Sequence, residues 1–138
     1  MVRTGKTRKK DAAYVSERLR IARGYLKSAQ DSLGWAEAGD IGNPFISHSI
    51  LCAIAYCDAL TAFRLGEINQ GDHQSVIKLL RAAVGRELPD KQLAHLRALL
   101  EEKDEVQYGA RAKTLEDARR ALERLQSFAD WAENALRT

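Results

Sequence analysis

Two long stretches of this chain repeat apolar residues in alternating steps of four and three. Near the N-terminus the series is Val15, Leu19, Ala22, Leu26, Ala29, Leu33 and Ala36. Near the C-terminus it is Ala118, Leu122, Leu125, Ala129, Ala132 and Leu136. An α-helix closes a turn every 3.6 residues, so this spacing holds one apolar seam along one side of each helix. Such a seam is stable only when another helix covers it. Strands would show apolar and polar residues alternating one by one, and no run of that kind is found. Several seam positions are alanine, which lets helix axes approach closely at a crossing of roughly 20°.

The rest of the chain supplies the partners for those seams. Ile50-Leu51-Cys52-Ala53-Ile54-Ala55-Tyr56-Cys57 is apolar on every side, as a central helix must be. A first helix is expected over residues 12–38, ended by Gly39-Asp40-Ile41-Gly42-Asn43-Pro44. The second runs to Leu65, with Gly66 placed to cap it. A short third helix, His73 to Val84, has Asp72 as its N-cap. The fourth, residues 90–107, carries Leu93, Leu96, Leu99 and Leu100 on one side. Thr114 opens the last helix, with Glu116 and Asp117 favourable at its positive end. The expected fold class is all-α: an antiparallel, up-and-down four-helix bundle with one additional short helix. One domain, residues 12–138, is long enough to bury roughly two thirds of its unfolded surface.

Charge is unevenly spread. Arg3, Lys6, Arg8, Lys9 and Lys10 precede the first acid, Asp11; the 17 basic residues that follow face 19 acidic ones. Residues 1–11 therefore read as a basic, flexible tail, either simply solvated or making weak nucleic-acid contact by counterion release. No apolar segment of a secretory signal follows the cationic start. The apolar run from Ile50 to Phe63 is too short to span a bilayer and contains Asp58, so a cytoplasmic protein without membrane contact is expected.

The chemistry-bearing residues are sparse. Cys52 and Cys57 lie five positions apart, so they point to different faces of one helix and read as buried free thiols. His48, His73 and His95 share no metal-ligand spacing, and no metal or cofactor is expected. Phosphate-loop, dinucleotide and nucleophile-elbow patterns are absent. Asp58 is the one charge in the apolar run and needs a counter-charge, for which Lys103 is a candidate. Lys103 and Tyr108 bound the element Lys103-Asp104-Glu105-Val106-Gln107-Tyr108, followed by Arg111 and Lys113. Either this region binds phosphate, with Lys103 as a point charge and Tyr108 as a stacking ring, or Lys103 neutralises Asp58 and Tyr108 packs the helix end. Glu101, Glu102, Asp104 and Glu105 weigh against phosphate there. Tyr14, Ile21, Tyr25 and Trp35 flank the first seam, and Phe128 and Trp131 the last, which points to a homodimer covering them.

The order of these elements, from about Ser47 to Leu136, resembles the HEPN family of small helical bundles: an apolar helix, the loop Gly71-Asp72-His73, the Lys103–Tyr108 element and a final amphipathic helix. The resemblance implies a histidine after that loop, here His73. It also implies that RNA-cutting members carry an arginine four to six residues before a histidine. Here eight residues separate Arg64 from His73 and Arg86 from His95, while Gln107 or Tyr108 stands where the histidine would fall after Lys103. Glutamine is no general base, and tyrosine is a poor one at its ordinary pKa. No catalytic residue is therefore assigned. The resemblance implies a non-catalytic interaction module that dimerises and partners a small nucleotidyltransferase in a toxin–antitoxin or defence pair. A divergent RNA-cleaving toxin using Lys103, Tyr108 and His73, or a nucleotide-binding bundle, are the alternatives. Asp58, His73, Lys103, Tyr108 and Arg111 are the candidate binding residues.

Overall fold

The computed structural model describes residues 7–137. The long elements are helical, as the seams require. Helix α1 spans Ala12–Gly34, α2 Asn43–Leu65, α3 His73–Val84, α4 Asp90–Glu101, α5 Lys103–Tyr108 and α6 Leu115–Ala135. Helix α2 is the hub: it packs against every other one of these helices. Its side chains explain this position, since Ile46, Cys52, Ala53, Ala55, Tyr56, Ala59 and Leu60 have essentially no exposed surface. It is long and apolar enough to cross a membrane by length and composition, but two thirds of its apolar window is buried within the fold.

Cross-contacts give the helix directions. Ser28 meets His48 while Arg18 meets Asp58, so α1 and α2 run in opposite directions. Asn43 meets Lys113 just before α6, and Arg64 reaches the carbonyl of Ala135 at its end, so α2 and α6 run the same way. Gln92 meets Ser127 and Glu102 meets Lys113, which sets α4 against the direction of α6.

Local chemistry sets the ends. Asp11, Asp72 and Thr114 each accept a hydrogen bond from the backbone N–H three residues on, satisfying donors that the first turn leaves open. Asp117 returns the bond to the Thr114 N–H and completes a capping box. Gly66 ends α2 in the left-handed conformation, φ 69°. Gly42 is needed for a different reason: its N–H donates to the Lys113 carbonyl at 2.7 Å, and a Cβ there would lie 2.1 Å from the Thr114 oxygen. The close approach of the α1–α2 loop to the start of α6 admits no side chain.

Several expectations are corrected. The first helix stops at Gly34 rather than residue 38; Asp40 accepts from the Glu37 N–H and Gly39 adopts φ 97°, folding 35–42 into turns. The fourth helix is interrupted at Glu102, a tightened turn that keeps helical dihedrals and re-aims α5 so that the Val106 carbonyl accepts from Asn43. The chain is also not free of strands. Thr7–Lys9 forms β1 and pairs antiparallel with β2, Glu67–Asn69, in the register Thr7↔Asn69 and Lys9↔Glu67. The Lys10 N–H then donates to the Gly66 carbonyl at 2.7 Å. The basic segment is therefore paired from Thr7 onward, and Asp11 caps α1; backbone pairing needs no apolar alternation, which is why the sequence pattern gave no sign of it. The expectation for residues 1–6 lies outside the described residues. Finally, Phe128 is fully buried, and Trp131 packs 5.6 Å from it and donates its ring N–H to the Glu87 carbonyl. Phe128 serves the interior, and Trp131 is partly covered against it. Trp35, at 86% exposure, and Ile21 face outward.

Candidate functional site

The proposed counter-charge for Asp58 is the first point of revision. Asp58 lies on α2 with its carboxylate 3.5 Å from the Arg18 guanidinium of α1, and Lys103 is not its partner. The antiparallel α1–α2 register brings Arg18 there. Burial pushes the Asp58 carboxyl up to about 6, against the pull of Arg18. The same interior raises the Cys57 thiol, chiefly by burial, so both cysteines are inert packing groups. A second buried polar group is better satisfied. The Tyr56 hydroxyl donates to Glu133 at 2.8 Å, and Arg23 grips the same carboxylate with two bonds of 2.8 and 2.7 Å. The Arg23 bonds hold the Glu133 carboxyl below its ordinary range, and burial drives the Tyr56 hydroxyl far above its own. This α1–α2–α6 staple is structural.

A groove with a volume of about 850 Å³ lies elsewhere, between α3 and the α4–α5 corner. Its first wall is built by the loop after β2. The Asn69 side chain accepts from the Gly71 N–H and donates to the Asp72 carbonyl, folding the loop tightly. A Cβ on Gly71 would come within 3.0 Å of the Ser75 hydroxyl, so glycine suits that turn. Asp72 then caps α3 through Ser75, and those hydrogen bonds lower its pKa. Helix α3 is strongly two-sided. Val76, Leu79 and Leu80 are buried, while His73, Gln74, Ile77, Lys78 and Arg81 line the groove. The opposite wall brings Arg97, Leu100, Glu101, Lys103 and Asp104.

Many of the cations outside this groove are paired. Arg23, Lys27, Arg64, Lys113, Arg119 and Arg120 each hold a carboxylate. Among the described residues, Lys78, Arg81, Arg97 and Lys103 form no ion pair. Four cations without an ion pair thus converge on one concave surface whose apolar lining is Ile77 and Leu100. Three acids, Asp72, Glu101 and Asp104, line the groove with them, and Asp72 keeps its negative charge while it caps α3 and is drawn on by Lys78. Helix α3 contains no acidic residue at all, a signal present in the sequence.

The structure brings His73 and Lys103 together in this groove. It separates the other candidates. Asp58 is paired with Arg18 in the interior, Tyr108 stands 82% exposed at the end of α5 and does not pack the helix end, and Arg111 is exposed in the following loop. None of these three lines the groove. Lys78, Arg81 and Arg97 were not singled out in the sequence. A shallower basic patch between α4 and α6 contains Lys91, His95 and Arg124. Burial and those two cations lower the His95 pKa, but Asp117 already holds Arg120 there and Glu123 adds an acid. Among the described residues no cluster of His, Cys, Asp and Glu has the make-up of a metal site. No protein-family model matches the chain, and no curated protein matches it.

Proposed function

We propose that this chain is a non-catalytic, HEPN-like helical module, a four-helix bundle with a short additional helix, that holds a phosphate-bearing ligand in the α3–α4 groove. One observation carries the reading: Lys78, Arg81, Arg97 and Lys103 line a single groove, outnumber its three acids, and form no ion pair among the described residues. Unpaired cations on a concave wall attract phosphate oxygens, and arginine presents a planar fork suited to them. The apolar contacts of Ile77 and Leu100 leave room for the non-phosphate part of the ligand. Binding rather than cleavage is favoured because the second proton-transfer candidate, Tyr108, does not line the groove with His73.

Inorganic pyrophosphate is a suitable probe. The expected result is a titratable change in the amide spectra of His73, Lys78, Arg81, Arg97 and Lys103, with no change at Arg119, which does not line the groove. The protein should leave single-stranded and folded RNA intact during prolonged incubation. An unchanged spectrum at these residues removes the ligand reading. RNA cleavage that disappears in His73→Ala replaces it with the hydrolytic one, which the His73–Lys103 juxtaposition alone would favour.

A further inference from the structure

Helix α4 carries cationic surfaces on both of its sides. On one side lies the α3–α4 groove, to which α4 contributes Arg97. On the other, α4 packs along α6, and Lys91 and His95 of α4 meet Arg120, Glu123, Arg124 and Ser127 of α6 around a hollow of about 400 Å³. Asp117 holds Arg120 and Glu123 is an opposing acid, but Lys91 and Arg124 form no ion pair among the described residues. Burial, and after it Lys91 and Arg124, lower the His95 pKa, so both cations act on one point of the hollow. Ser127 accepts the Gln92 amide at 3.0 Å, which leaves its own O–H to donate. Two cations and a hydroxyl around a concavity suit a phosphate group.

The ridge between the two surfaces carries little side chain. A helix turns about 100° per residue, so Arg97 and Lys91 stand about 120° apart around α4. Ala94 is midway between them and exposed, and Ala98 is its neighbour one turn on. Asp90 lies one turn before Ala94 and Glu101 one turn after Arg97, so the acids flank the crossing and the alanines form it. From Lys91 to Arg97 the helix rises about 9 Å, roughly the span of three phosphates along one strand.

We infer that the α4–α6 hollow is a second phosphate site, and that single-stranded nucleic acid crosses α4 over Ala94 to occupy it and the α3–α4 groove together. The inference rests on the phosphate reading of the groove. A strand that joins the two sites must bend over a cylinder about 10 Å wide. A duplex, with a persistence length of about 150 base pairs, is too stiff for that, whereas a single strand is not. Inorganic polyphosphate is charged at every unit and gains nothing from the alanine ridge or from Ile77 and Leu100.

Fluorescence anisotropy with a labelled oligonucleotide of about twelve residues compares the native chain with Lys91→Ala/Arg124→Ala, with Ala94→Glu and with a control outside both surfaces, Ala13→Glu. Two lost phosphate contacts should weaken binding roughly tenfold at about 0.15 M salt and reduce the slope of log K against log salt by about 1.4. Ala94→Glu should weaken it about fivefold, the effect of one like charge at contact distance in water, and Ala13→Glu should leave it unchanged. No loss in the double variant or in Ala94→Glu, or an equal loss in Ala13→Glu, overturns the crossing. A duplex of the same length that binds as tightly as the single strand overturns it too. Inorganic polyphosphate that displaces the probe as well as unlabelled oligonucleotide removes the nucleic-acid assignment. Pyrophosphate-induced changes at the Lys78 and Arg81 amides of the native chain report the groove by itself. If they occur while the crossing fails, the groove reading stands; if they are absent, both fall.

Discussion

Replacing Asp58 by asparagine should make the protein more stable at neutral pH and leave it nearly unchanged in acid. The carboxyl sits on the most buried helix of the fold, only 12% exposed, with one cation at 3.5 Å. Burial raises its pKa from an ordinary 3.8 to about 6, and Arg18 offsets only part of that. A raised carboxyl pKa means that the folded state holds the proton more tightly than the unfolded one. The contribution of this one group to stability is then greatest below about pH 4 and is lost as pH rises through about 6. Two pKa units correspond to about 3 kcal/mol, most of it falling between pH 4 and 7.5. Asparagine does not titrate. The stability difference, Asn variant minus native chain, should therefore grow by about 2–3 kcal/mol over that interval. Urea unfolding at several pH values measures it, as a relative midpoint shift of about 1–2 M. A difference that stays flat, or that falls with pH, refutes the reasoning and makes the Arg18 ion pair stronger than the burial cost.

Gly42→Ala should destabilise by about 1–3 kcal/mol, because the new Cβ would collide with the Thr114 backbone; a neutral effect in thermal unfolding would show that this loop yields easily. Glu133→Ala should cost about 2 kcal/mol by orphaning the fully buried Tyr56 hydroxyl, while Arg23→Ala, removing a largely exposed partner of the same carboxylate, should cost under about 1 kcal/mol. Equal costs would move the weight of that staple to its surface arm. Leu125→Asp should abolish cooperative unfolding, since it places an unpaired charge at a position with no exposed surface.

What could be read in the sequence was local. Asp72, Thr114 and Gly66 were legible as caps because a cap acts within three or four residues, and the seams were legible because helical periodicity is a property of one segment. Ala22, Ala29, Leu33, Ala118, Leu125, Ala129 and Ala132 are all buried. Pairings across the fold were not legible. Arg18 rather than Lys103 meets Asp58 because the α1–α2 register decides it, and no spacing in the sequence encodes that register. The β1–β2 ladder escaped notice because three residues paired through backbone groups carry no apolar pattern. The groove was half-visible: His73 and Lys103 were singled out, while Lys78 and Arg81 of α3 meet Arg97 of α4 only on folding. Tyr108 and Arg111 drew interest through their nearness in sequence to Lys103, and the break at Glu102 and the exposed end of α5 leave them outside the groove.

The central claim is that the α3–α4 groove cations bind phosphate, and charge reversal inside the groove tests it most directly. Fluorescence anisotropy with a labelled single-stranded oligonucleotide would compare the native chain, Arg81→Glu/Arg97→Glu, and a control, Lys27→Glu/Arg119→Glu, that makes the same charge change outside the groove. The account predicts that the groove variant loses at least about a hundredfold in affinity, since each reversal removes one phosphate contact and adds one repulsion, while the control stays within a few-fold of the native chain. Equal losses in the two variants, with both still folded by circular dichroism, would mean that overall charge attracts the strand and the groove does not, and would contradict the account.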